Sequence, residues 1–64
     1  MNRPLAAKHQ LLNRLHYLRK LVDDAESAAQ TDDLIDTDEL IEAVGSVVEA
    51  GATWNAALIA RAAG

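Results

Sequence analysis

His9 and His16 carry the most versatile side chains in the sequence, and their spacing decides what they can do. Seven residues apart on a helix is two turns, about 10.5 Å along the axis. A helical metal pair needs ligands three or four residues apart, and neither histidine has an acid or a third histidine within one turn. The acids Asp32, Asp33, Asp36, Asp38, Glu39 and Glu42 cluster in the manner of a calcium site. They lack the central glycine and the twelfth-position glutamate of an EF-hand loop. Ser27, Thr31, Thr37, Ser46 and Thr53 have no histidine placed to activate a hydroxyl, and the glycines at 45, 51 and 64 are too scattered to cradle a phosphate. The expectation is a protein that is not an enzyme, with no metal, no cofactor and no small-molecule substrate.

The charges are more informative. Residues 1–22 hold Arg3, Lys8, Arg14, Arg19 and Lys20 and no acid, whereas all ten acids fall between Asp23 and Glu49. The five bases are candidate phosphate contacts for a nucleic acid. A formal net charge of −4, a sequence pI of about 4.8 and only two aromatic residues weigh against that use. Within one helix, bases first and acids last oppose the macrodipole. An antiparallel second copy, or an acidic second helix folded back on the first, would set opposite charges side by side.

These side chains must be carried by helices, since no segment alternates as a strand does. A first helix is expected over about residues 5–29, with Asn2 as its cap and Pro4 in its opening turn. Leu11, Leu15, Leu18, Val22, Ala25 and Ala29 repeat at alternating steps of four and three, which is a heptad seam. His9, Asn13, His16, Lys20, Asp23 and Ser27 form the solvated stripe. Asp36 followed by Glu39 is a capping pair, and Ile35 with Leu40 is the matching hydrophobic staple. A second helix follows over about 37–50, ended by Gly51 as a left-handed cap. Gly45, within it, is read either as a tolerated helix defect or as a place where a neighbouring helix comes close. Thr53 then caps a third helix over about 54–63, apolar nearly all round. Trp54 is read as a core anchor or an interface hot spot, and Tyr17 as exposed or at a rim.

The fold class is therefore all-α: one domain of three helices with a long N-terminal helix, packed as an oligomeric helical bundle. Size makes the partner necessary. A 64-residue chain buries only about 60% of its unfolded surface, and with no cysteine it has no disulfide to reinforce it. Thirteen of its residues are alanine, the best helix former and the poorest core filler. A 25-residue helix of ~37 Å also exceeds the ~27 Å breadth of a compact globule of this length. The expected partner is a second copy, a dimer before larger assemblies, or another protein. Its interface would draw on Leu11, Leu15, Leu18, Val22, Trp54, Leu58 and Ile59. With no secretory signal and no apolar run near eighteen residues, the expected location is the cytoplasm, away from membranes.

Gly51-Ala52-Thr53-Trp54 followed by Leu58 to Gly64 resembles the first half of a bacterial helix-turn-helix, with Ala60 and Gly64 at the spacing of its small residue and turn glycine. That resemblance implies a truncated relative that keeps a dimerising helix without a recognition helix. No DNA contact is carried over from it. The reading is a small interaction module acting by helix-on-helix binding, an accessory regulator, inhibitor or assembly factor of bacterial or phage type. The alternatives are a DNA-binding or transcription-linked protein and a structural subunit of a larger assembly.

Overall fold

The computed structural model describes residues 3–63, with side chains from residue 5 onward. Two helices, α1 (Arg3–Gln30) and α2 (Thr37–Ala63), pack against each other as an antiparallel hairpin. Among the described residues there is no strand. The hairpin is a rod of 52 × 15 × 14 Å with a radius of gyration of 15.1 Å, against about 10.7 Å for a compact chain of this length. No helix of the described residues is long and apolar enough to cross a membrane.

The expected third helix is the second half of α2. Gly51 does not have a positive φ and the helix passes through it. Thr53 does not cap a new helix either; its hydroxyl donates back to the Glu49 carbonyl at 3.2 Å, one turn earlier. Glycine at 45 and 51 each costs a helix about 1 kcal/mol relative to alanine. The alanines around Gly51 offset part of that cost, and the inward-facing series Val47, Ala50, Trp54 and Ala57 continues across it without a change of register. Packing against α1 thus overrides the local stop signal. The stretch resembling a helix-turn-helix is continuous helix from Gly51 to Ala63, while its expected turn glycine, Gly64, lies outside the described residues, as does the expected cap Asn2.

The turn between the helices is built from hydrogen bonds that the acids and hydroxyls supply. At the end of α1 the Asp33 N–H donates to the Ala28 carbonyl at 2.8 Å and the Asp32 N–H to the Ala29 carbonyl at 3.4 Å. These are the paired bonds of a Schellman end, and they require Asp32 in the left-handed region, with φ 59°. At the start of α2 the Glu39 N–H donates to Asp36 Oδ1 at 3.1 Å, so Asp36 caps the helix as its sequence position predicts. Ile35 and Leu40 line one depression together with Leu21, Ala25 and Ala28, which seats the turn against α1.

The inward-facing residues of α1 are Ala7, Leu11, Arg14, Leu18, Leu21, Ala25 and Ala28, all buried or half-buried. Those of α2 are Leu40, Ala43, Val47, Ala50, Trp54 and Ala57. Both series step by four and three, so they wind around each other as heptad seams. Ala7, Ala43 and Ala50 are the fully buried members, the last only 2% exposed. The fully buried positions of the hairpin are therefore all alanine, and its larger seam residues, Leu11, Leu18, Leu21, Leu40, Val47 and Trp54, are only half-buried.

Candidate interaction face

The expected seam on α1 mixes two real stripes. Leu11, Leu18 and Ala25 face α2, whereas Leu15, Val22 and Ala29 are exposed. The exposed three belong to a second heptad stripe that follows the buried one by a single residue: Leu5, Lys8, Leu12, Leu15, Arg19, Val22, Glu26 and Ala29. α2 repeats the arrangement. One residue after its buried seam run Ile41, Val44, Val48, Gly51, Asn55, Leu58 and Ala62, nearly all exposed, with Ile41 at 69% and Val48 at 64%.

A displacement of one residue turns a helix by about 100°. Turning in the same sense about two antiparallel axes brings both stripes to the same side of the hairpin. The two helices therefore share one broad apolar face, and Leu34, 98% exposed, projects from the turn that joins them. Ile59 lies beside this face, also exposed. Of the expected interface residues, Leu15, Val22, Leu58 and Ile59 lie on or beside the face. Leu11, Leu18 and Trp54 are half-buried in the seam of the hairpin itself. Gly45 has open space around it, with no atom within 4 Å of where a Cβ would stand, so no helix of the same chain approaches it.

The opposite side, one residue before each seam, is polar except toward the open end, where Ala6 and Ala56 occupy it. It carries Gln10, Asn13, Tyr17, Lys20 and Asp24 on α1 and Glu39, Glu42, Ser46 and Glu49 on α2. Tyr17 Oη donates to Glu39 Oε1 at 2.9 Å across this side. Glu39 thus spends its carboxylate on α1, in place of the reciprocal bond to Asp36 that a capping pair implies. Accepting that proton raises the Tyr17 pKa above the ordinary tyrosine value, first through the hydrogen bond and then through the charge of Glu39. Toward the open end of the hairpin this side holds a cleft of about 620 Å³ lined largely by Ala6, Ala7, Ala56, Ala57 and Ala60.

The candidate phosphate contacts are not gathered on one surface. Arg14 occupies the seam and donates from Nη1 to the Ser46 carbonyl at 3.1 Å. Lys8 and Arg19 sit on the apolar face, and Lys20 on the polar side. The side chain of Arg3 lies outside the described residues. His9 and His16 are both exposed on the outer edge of α1, and no group of three among the described residues could hold a metal ion. The signal for the real arrangement was present in the sequence as two heptad series offset by one residue. Hydropathy hid it, because the buried series includes Ala7, Arg14 and Ala28. Comparisons with protein-family models, with curated proteins and with solved structures find no match.

Proposed function

We propose that this chain is a protein-binding module, a regulator, inhibitor or assembly factor without catalytic activity, that works by burying its apolar face against other helices. One observation carries the reading: three alanines are buried, while Leu5, Leu12, Leu15, Val22, Ile41, Val44, Val48 and Leu58 stand exposed on one side. Exposed apolar side chains are ordinary when scattered, but a contiguous stripe on both helices marks an interaction surface. Each such side chain is already partly covered by its own hairpin, so completing its burial gains on the order of 1 kcal/mol, and covering several of them supplies useful affinity. The opposite polar side, with its acids on α2, keeps the other surface in water.

The test compares the wild-type chain with a Leu12→Asp, Val48→Asp double variant by sedimentation and by binding of an apolar fluorescent dye. Both substituted residues point away from the hairpin seam, so the variant is expected to keep its helicity by circular dichroism. The wild type is expected to associate or to bind the dye, and the variant to do neither. A wild-type chain that is helical, monomeric and without dye binding would remove the basis for the reading.

A further inference from the structure

We infer that the occupant of the apolar face is a second copy of this chain, related by a two-fold axis that crosses the middle of the rod and sets α1 antiparallel to α1 of the second copy. This inference rests on the reading of the face as a binding surface and names its partner.

The surface area is of the right size. The hairpin exposes 5126 Å², whereas a compact monomer of 6.9 kDa exposes about 4,000 Å². The surplus, about 1,100 Å² per chain, slightly exceeds the ~800 Å² that each partner contributes to a stable interface of ordinary size.

The charges choose the orientation. On the exposed stripe of α1 the charged residues are Lys8, Arg19 and Glu26. An axis passing near residue 17, the midpoint of α1, places Lys8 opposite Glu26 of the second copy, and does so twice by symmetry. The same axis sets Leu12 opposite Val22 and Leu5 opposite Ala29, apolar against apolar along the stripe. Arg19 falls opposite Leu15, where its aliphatic stem can cover the leucine while the guanidinium reaches water. On α2 the axis crosses near Val44, so the bulky residues between Ile41 and Val48 of the two copies meet. The alternative, with the axis along the rod, lays α1 over α2 of the second copy. The α2 stripe carries no acid, so Lys8 and Arg19 would then face only apolar residues and Asn55.

The antiparallel arrangement also answers the order of charges within α1. On this face the basic first half, through Lys8, comes to lie beside Glu26 in the acidic second half of the neighbouring α1, and the two helix dipoles oppose each other. What is unfavourable within one helix becomes favourable between two.

The chain has no cysteine, so a disulfide can report the geometry. Lys8→Cys and Glu26→Cys are prepared as separate variants, mixed, and oxidised. Light scattering first establishes that the unmodified chain at about 100 µM has twice the mass of one chain. The mixture is then expected to yield a covalent dimer linking residue 8 of one copy to residue 26 of the other. Lys8→Cys alone is expected to yield little, because its two copies would stand about 27 Å apart along the rod. Charge reversal by Lys8→Glu is expected to weaken self-association roughly ten-fold, and Lys8→Glu with Glu26→Lys to restore it. A cross-link between Lys8→Cys and Asn55→Cys in place of the 8–26 link overturns the antiparallel arrangement. A helical monomer that binds the apolar dye overturns the second copy as occupant and leaves the binding face standing. A helical monomer that binds no dye overturns both.

Discussion

Asp32 holds a left-handed backbone conformation with φ 59° so that the turn can close the carbonyls of Ala28 and Ala29. For a residue with a Cβ this conformation costs roughly 1–2 kcal/mol. Its carboxylate also stands at the negative end of the α1 dipole, which adds about 0.3–1 kcal/mol. Replacing it with glycine removes both penalties and returns about 0.5–1 kcal/mol to the unfolded chain as backbone freedom. Asp32→Gly is therefore expected to stabilise the hairpin by about 1 kcal/mol net. For a chain of this size that corresponds to a rise of ~4–8 °C in Tm. The assay is thermal unfolding by circular dichroism with all chains at one fixed concentration, since association would itself move the midpoint. Asp32→Ala serves as the control, because it removes the charge and keeps the Cβ. The alanine variant should gain less than the glycine variant. A glycine variant no more stable than wild type, or an alanine variant that equals it, would refute the backbone argument.

Two further outcomes follow from the seam and the polar side. Ala50→Leu forces a large side chain into a site that is 2% exposed and is expected to cost ~1–3 kcal/mol in urea unfolding, whereas Ala52→Leu on the exposed surface should change stability by less than ~0.5 kcal/mol. Tyr17 holds its proton more tightly in the folded chain than in the unfolded chain, because its hydroxyl donates to Glu39. Its contribution is therefore fully present below the ordinary tyrosine range and is lost as pH rises through the raised value. Titration by tyrosinate absorbance should show the upward shift, and Glu39→Gln should reduce it.

Much of the architecture is legible in the residues themselves, and the failures have physical causes. The length of α1 follows from its alanines, leucines and long polar side chains, all good helix formers, and the Asp36 cap follows from its position ahead of Glu39 and Leu40. The break expected at Gly51 fails because glycine is permissive, and Ala50, Trp54 and Ala57 keep their contacts with α1 when the helix runs on. The heptad on α1 is visible, but its facing is not. Leucine and valine sit on both the buried and the exposed stripes, while the buried stripe spends positions on Ala7, Arg14 and Ala28. Close packing, unlike burial of bulk, leaves no hydropathy signal. The same limit applies to Tyr17 and Glu39, which meet only because α2 folds back beside α1.

A seam that buries only alanines fully and leaves its leucines, valine and tryptophan half-covered gives the isolated hairpin limited cohesion of its own. If a second copy covers the apolar face as inferred, dilution would lower the stability of the hairpin, since association adds to what each folded copy has alone. Its abundance would then act as a threshold. Below it the hairpin would open more often to proteolysis, and above it association would shelter the same fold.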